Sequence, residues 1–470
     1  MPIPVISTAQ MRDWEAATWA TGQTEAEVIR RVGKRLARRA RKLTRAGDTI
    51  LFLIGKGHNG DDARAAAKQL EGRRAEVLEM FLPDTDLLPL EQALAEKPAL
   101  VVDGLFGIGL NRPLSEAWQK IIAAINGSKI PVLAVDVPSG LNADTGETFG
   151  AAIEAAVTLT IGAPKTGLLA PVAWPYVGRL EVTDEVGLVP CPLAAGLNWT
   201  LPEDFQNYPP ARPVAGHKGS FGHASLIAGS LGYHGAAVIA TRGAQRAQPG
   251  LATVFTQENV FHPVAAQLQS AMVKIWRPET KLPENTSALL IGPGLAAPEI
   301  AAGVKDFTRR LWRAADFPLV VDASALDFLV AEPVQNNFIR VLTPHPGEAA
   351  RLLKTTAAKV QADRVAALRE LSQKFGDCWV LLKGSETLVG HSTGKIFVNS
   401  SGNPHLAQGG SGDLLSGYLT GLLAQPALAA EVEKTLRYAV WQHGAAADKL
   451  SATRGNWTVE ELAEEIGNGL

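Results

Sequence analysis

Only two cysteines, Cys191 and Cys378, occur in the 470 residues. Far apart and without partner spacing, they exclude a disulfide framework and a cysteine-rich zinc site. An excess of either charge is also missing: Lys and Arg number 45 against 47 Asp and Glu, a net charge of −2. Bulk electrostatic capture of nucleic acid is thereby excluded. No apolar run reaches the ~20 residues of a membrane span. The opening MPIPVISTAQMRDWE lacks the apolar stretch of a signal peptide. The expected compartment is a reducing cytoplasm, with neither nucleic acid nor membrane as a partner. The histidines at 217, 223, 234, 262 and 345 lack metal-ligand spacing. No G-x-x-x-x-G-K-[ST] run exists, so a P-loop enzyme is excluded too.

What is present is globular: 46% of residues are hydrophobic and 20% charged. The length exceeds what one core usually organises, which predicts two domains. A basic cluster, Arg30, Arg31, Lys34, Arg35, Arg38, Arg39, Arg41, Lys42 and Arg45, reads as the solvated face of a helix. Ser7 with Gln10 has capping-box spacing and opens an N-terminal helix.

In the first half, strand-like runs at 49–54, 75–81, 99–103, 130–136 and 157–161 alternate with helical patterns near 61–71 and 115–126. Strands separated by helices predict a parallel sheet covered on both faces. A stretch with Pro190, Pro192, Pro202, Pro209, Pro210 and Pro213 follows. It places the boundary between domains 1–205 and 206–470. The second half restarts the pattern, with strands at 223–228, 253–255, 288–291, 319–322, 340–342 and 379–383. Helices are expected there at 235–248, 299–312, 359–375, 411–423 and 431–450. The fold class is therefore α/β, two three-layer domains.

Gly55, Gly57 and Gly60 match G-x-G-x-x-G between a strand and a helix, the context of a dinucleotide fingerprint. Asp61 and Asp62, however, sit where that helix should begin. Carboxylates there would occupy the positive helix end that a pyrophosphate otherwise uses. A modified ligand site is favoured over an ordinary redox site. Asp103 ends another strand, ahead of a loop with Gly107 and Gly109. Asp136 ends a third, ahead of Pro138, Ser139 and Gly140. Ligands bind at the carboxyl ends of strands in open parallel sheets, so Asn59, Asp103, Asp136 and Ser139 are expected to converge. Oxygen ligands suit a hard or large monovalent cation. Each aspartate taken singly also reads as a helix cap or turn residue.

Residues 1–200 resemble the NAD(P)H-hydrate epimerase family. The resemblance implies a Rossmann-like fold and interconversion of the R and S hydrates at carbon 6 of the damaged nicotinamide ring. It implies potassium ligands at Asn59, Asp103 and Ser139. Substrate contacts are implied at His58, Asn59, Gly60, Asp61 and Asp62, and at Gly107, Ile108, Gly109, Leu110, Asn111, Arg112 and Pro113. Asp136 would be the catalytic base, and Lys165 a candidate for the opposite face. The family pattern G-x-G-N-N-G-G-D-G is altered here by His58, Asp61 and Ala63.

The run NPHLAQGGSGDLLSGYLTGLLAQ is the most specific in the chain. Gly409, Gly410 and Gly412 form a loop leading into a helix, so main-chain N–H groups can converge on an anion. Asp413 sits at that helix N-terminus, where a carboxylate can take a hydroxyl proton during phosphoryl transfer. A helix cap is the structural alternative for Asp413, but a cap does not require three glycines before it. Supporting loops follow other strands: Gly229 to Gly235, Gly292 and Gly294, Asp322, His345 with Glu348, and Lys383 to Thr387.

In this order the motifs resemble the ADP- or ATP-dependent NAD(P)H-hydrate dehydratase family of the ribokinase superfamily, over residues 210–450. The resemblance implies a ribokinase-like domain. It implies that Ala236, Gly294, His345 and Asp413 contact the hydrated dinucleotide. Lys383, Gly384, Ser385, Glu386, Thr387 and Gly412 would contact the adenine nucleotide, ADP or ATP, with magnesium held mainly through its phosphates. Gln408 stands where threonine is usual. Asp413 would be the base, and both families imply a homo-oligomer. Three alternatives stay open: a small-alcohol kinase in the second half, a binding or scaffolding module in the first, or a redox dinucleotide domain there.

Overall fold

The computed structural model describes residues 2–297, 303–331 and 338–468. The chain divides into two compact units, Ile3–Ala195 and Gly196–Leu470, the latter joined by Met1–Pro2.

The strands of the first unit are β1 (Ile3–Pro4), β2 (Thr49–Ile54), β3 (Arg74–Glu79), β4 (Leu100–Gly104), β5 (Val132–Val135), β6 (Val157–Ile161) and β7 (Arg179–Thr183). Six of them form one parallel sheet in the order β3-β2-β4-β5-β6-β7. In β2, Phe52 and Ile54 face one way and pack with Val28, Val32 and Leu36. Leu51 and Leu53 face the other and pack with Leu90, Ile121 and Ile122. Alternate burial on both faces is what a covered parallel sheet demands. The basic cluster, Arg45 apart, lies on helix Glu25–Leu43, whose apolar stripe is Val28, Val32, Leu36 and Ala40. Five of its arginines are paired: 30 and 31 with Glu27, 35 with Glu185, 39 with Glu181 and 41 with Glu71. Ser7 caps helix Thr8–Trp19 in a capping box with Gln10.

The second unit holds β8 (Leu197–Trp199), β9 (His223–Ile227), β10 (Leu251–Thr256), β11 (Met272–Ile275), β12 (Ala288–Ile291), β13 (Leu319–Val321), β14 (Arg340–Leu342), β15 (Trp379–Leu382), β16 (Leu388–Gly390) and β17 (Ile396–Val398). Their order across the sheet is β8-β17-β16-β15-β14-β13-β12-β9-β10-β11. β16 alone runs antiparallel to its neighbours. The expected boundary at 205/206 moves to 195/196, because Leu197 pairs with Ile396 and Trp199 with Val398. Phe205 and Tyr208, within the proline-rich stretch, are buried in the second core.

Helices His234–Arg246 and Ser411–Leu423 lie backbone to backbone. A Cβ on Gly417 would stand 1.9 Å from the Ala240 carbonyl oxygen, and one on Gly243 would stand 2.3 Å from that of Leu414. Such contact is open only to residues without a side chain. It brings the loops preceding both helices to one edge of the sheet.

Of the helix expected at 299–312, residues 299–302 lie outside the described residues, and the observed helix is Val304–Ala314. The single helix expected at 359–375 is instead two, Ala357–Ala362 and Arg364–Lys374. Asp363 separates them and caps the second, accepting from the Ala366 N–H at 2.9 Å. No helix among the described residues is long and apolar enough to cross a membrane. Both cysteines are free thiols.

Candidate active sites

The carboxyl ends of β2, β4 and β5 build the site of the first unit. Gly55 and Gly60 are required there for packing. A Cβ on Gly55 would meet the Leu105 oxygen at 2.0 Å, and one on Gly60 would meet the Gly55 oxygen at 2.1 Å. Gly57, the middle glycine of the fingerprint, faces open space. Helix His58–Lys68 starts three residues before Asp61, earlier than expected. Asp61 is paired with Arg64 at 2.7 Å, so its charge is compensated within the helix.

Asp103 is fully buried at the end of β4. Its carboxylate accepts from the Ser139 N–H at 2.8 Å, the Ser139 hydroxyl at 2.6 Å and the Leu105 N–H at 3.2 Å. Burial pushes this carboxyl up to about 6, opposed by the Ser139 and Leu105 bonds. Ser139 Oγ also accepts from the Phe106 N–H at 2.9 Å, and Asn59 Nδ2 donates to the Phe106 oxygen at 3.0 Å. Asn59, Asp103 and Ser139 therefore meet around one turn, 104–107. No Lys or Arg among the described residues pairs with Asp103.

Asp136 has a left-handed backbone, φ 63°, and is 7% exposed. One of its oxygens accepts from Thr160 Oγ1 at 2.9 Å, the Ile161 N–H at 2.9 Å and Lys165 Nζ at 2.5 Å. The fully buried Lys165 thus sits directly on Asp136. Asp62 is buried beside this pair, and its Oδ1 has no hydrogen-bond partner among the described residues. Burial, with the nearby Asp136 and Asp61 carboxylates, raises Asp62 well above the carboxylate range. Glu15, which sequence reasoning did not single out, belongs to the same cluster. Burial raises it, Lys165 opposes and Asp136 adds. His58 points outward, its Nε2 2.9 Å from Glu25. Residues 107–113 form a turn-rich loop, with Gly109, Asn111, Arg112 and Pro113 exposed.

The second site lies where β13, β14 and β15 end against helix Ser411–Leu423. Gly410 caps that helix with φ 93°, a conformation that favours glycine. A Cβ on Gly412 would lie 3.3 Å from Lys383 Nζ, which places the ammonium at the helix N-terminus. Lys383 Nζ donates to Asp322 Oδ1 at 2.9 Å and lies 3.9 Å from Glu348 Oε2. Burial alone would lower this ammonium, but Asp322 and Glu348 outweigh it and hold it above its ordinary value. Burial pushes the Asp413 carboxyl up to about 7, with Asp322 and Glu348 adding and Lys383 opposing. A carboxyl so raised is a stronger base than an ordinary aspartate.

His345 caps helix Pro346–Leu353, its Nδ1 accepting from the Gly347 N–H at 3.0 Å. Its own N–H donates to Glu348 at 2.8 Å, and its exposed Nε2 edge lies 3.5 Å from the same carboxylate. His345, Glu348, Lys383, Asp322, Gly412 and Asp413 therefore form one connected group. Gly384 and Ser385 are exposed, while Glu386 is half-buried, and burial raises its carboxyl to about 7 against the pull of Arg364. Arg364 shapes this turn by donating to the Leu382 and Ser385 oxygens. Thr387 closes it onto the Gly384 oxygen at 3.1 Å. Ala236 and Gly294 form a separate lip: a Cβ on Gly294 would meet Ala236 Cβ at 2.9 Å. Ile239 links that lip to the glycine loop, 2.8 Å from where a Gly410 Cβ would stand.

Sequence reasoning also missed Arg364 and His443. His443 Nε2 lies 3.3 Å from Ser411 Oγ, beneath the glycine loop, and burial lowers its imidazole to about 4. Neither stands in a glycine motif, so nothing local marks it. Among the described residues no group of three or more His, Cys, Asp or Glu is placed to hold a metal.

Comparison with known proteins matches residues 224–468 to a family described as NAD(P)H-hydrate dehydratase. Residues 25–89 and 83–167 match one described as YjeF-related protein N-terminus. The chain is 35% identical to a bifunctional NAD(P)H-hydrate repair enzyme of Gloeobacter violaceus, over 99% of this chain and 97% of the relative. It is 33% identical to a bifunctional NAD(P)H-hydrate repair enzyme of Leishmania major, over 98% and 92%. Among solved structures, a ribokinase-like superfamily protein from Enterococcus faecalis is 26% identical with a TM-score of 0.51, covering 58% of this chain and 95% of that one.

Proposed function

Because this chain belongs to the family of bifunctional NAD(P)H-hydrate repair enzymes, we propose that its second unit dehydrates the S hydrate of NADH or NADPH at the expense of ADP. The first unit interconverts the R and S hydrates. A dehydratase selective for one epimer would strand the other, and an epimerase on the same chain returns it.

Asp413 takes the proton from the carbon 6 hydroxyl as that oxygen attacks the terminal phosphorus of the nucleotide. A new oxygen–phosphorus bond forms, and the bond to the departing nucleotide breaks. The carbon 6–oxygen bond then breaks, phosphate leaves with its electron pair, and loss of the carbon 5 proton restores the ring double bond. Lys383 and the main-chain amides of 409–412 offset the phosphate charge, and Gly384 to Thr387 contact the nucleotide. Ala236, Gly294 and His345 hold the dinucleotide. Magnesium would be bound mainly through the nucleotide phosphates and would offset part of their charge.

The observation that carries this reading is the Lys383 ammonium beside Gly412, next to a carboxyl raised to about 7. An Asp413→Ala chain is expected to lose dehydration while nucleotide binding by calorimetry persists. Retained turnover in that variant removes Asp413 as the base.

In the first unit, Asp136 is proposed as the proton-transferring base and Lys165 as the cation paired with it. Residues 58–62 and 107–113 frame the substrate. Asn59, Asp103 and Ser139 fit a potassium ion. The donors are oxygens, and the buried Asp103 has only neutral partners among the described residues. When bound, the ion would neutralise that carboxylate and tie the strand-end loops together. The free thiols support a reducing, cytoplasmic setting. A homo-oligomer is proposed as well, supported by the exposed Val77 on the edge strand β3 and Leu82 just beyond it.

A further inference from the structure

We propose that Asp322 is a positioning residue for phosphoryl transfer, holding the Lys383 ammonium at the N-terminus of the helix that carries Asp413. This deepens the dehydratase reading and rests on it.

The geometry isolates Asp322 as the anchor. It is 1% exposed at the end of β13, and its carbonyl is held from two sides. A Cβ on the neighbouring Gly292 would meet the Asp322 carbonyl oxygen at 1.8 Å, and the Ala325 N–H donates to that same oxygen at 3.2 Å. The buried carboxylate therefore presents a fixed acceptor, and Lys383 Nζ takes it at 2.9 Å. The other acid, Glu348, is 3.9 Å from the ammonium and already accepts from the His345 N–H at 2.8 Å. The Lys383 N–H donates to the Pro344 oxygen at 2.9 Å, so the lysine is fixed at its backbone and at its tip. An ammonium on a four-carbon stem is otherwise mobile, and fixing it in advance removes an ordering cost from nucleotide binding.

The charged groups that face Asp413 are Asp322, Glu348 and Lys383. Neutralising Asp322 removes a negative neighbour and loosens the lysine. The first change favours the ionised form of Asp413 and the second opposes it; Asp322 acts on Asp413 more strongly than Lys383 does, so the net shift is downward. An ion pair that served only to fill the core would not move nucleotide affinity.

The test uses the full chain with Asp322→Asn and Asp322→Glu, thermal denaturation serving as the check on folding. For Asp322→Asn the acid limb of kcat should move down by about one pH unit, and KM for ADP should rise about tenfold. Asp322→Glu keeps the charge and displaces it, so the limb should stay and KM should rise. Should the asparagine variant not fold, the glutamate variant decides alone. A KM at the wild-type value in either folded variant, or an unmoved limb in Asp322→Asn, overturns the proposal. A wild-type chain that regenerates no reduced cofactor with ADP or ATP defeats the dehydratase reading itself, which separates the two failures.

Discussion

Removing Lys165 tests how the first site is held together. Its ammonium is fully buried and donates to Asp136 at 2.5 Å, Thr160 Oγ1 at 3.1 Å and the Ile161 oxygen at 2.9 Å. Asp136 is itself 7% exposed, so Lys165→Met leaves a buried carboxylate with only the Thr160 and Ile161 donors among the described residues. Breaking a buried pair by deleting one partner costs about 3–5 kcal/mol. For a unit of this size that corresponds to a fall of roughly 6–20 °C in its melting transition. The double change Asp136→Asn with Lys165→Met removes both charges and should recover much of the loss, since a neutral replacement of a buried pair is often near neutral. Scanning calorimetry on the full chain reads stability, and a chiral assay of hydrate interconversion reads activity. Both variants should lack epimerisation while pure S hydrate is still dehydrated. A fall below 2 °C in Lys165→Met, or a double variant no more stable than the single, would refute the reasoning.

The raised Asp413 sets a sign for pH. As the proposed base it must be ionised, so dehydration should fall below a midpoint near 7, by about tenfold per pH unit well below it; a kcat profile flat from pH 5.5 to 8 would contradict this. Gly417→Ala drives a Cβ to within 1.9 Å of the Ala240 oxygen. It should destabilise the second unit by about 1–3 kcal/mol, read by urea denaturation. Asp103→Asn should abolish any dependence of epimerisation on potassium. A titration with potassium at constant ionic strength, repeated by calorimetry without substrate, checks it.

Strands buried on both faces were legible because apolar runs are nearly continuous there: β2, β4 and β6 stand close to their expected bounds. The strands β8, β16 and β17, three residues each, carry no periodicity and were not expected. β8 in turn shifted the domain boundary: of the prolines that suggest a linker, Pro190 and Pro192 lie before it and the other four after it. At the first site, Asp103 and Ser139 were readable as strand-end residues, but the direct contact between Lys165 and Asp136 was not. It depends on β5 and β6 standing side by side. At the second site the glycine loop was readable from a single run of sequence. Asp322, Glu348 and Lys383 were visible only as separate loop residues. Their convergence spans 61 positions and is made by the order β13-β14-β15.

The most direct measurement is the reaction itself. A mixture of R and S NAD(P)H hydrates is incubated with the full chain, with and without ADP or ATP, and the reduced-nicotinamide absorbance is followed. The expected result is regeneration only with nucleotide, running to completion faster than the epimers interconvert unaided. Regeneration independent of nucleotide, or its absence with both nucleotides, would contradict phosphorylation of the carbon 6 hydroxyl as the step that creates the leaving group.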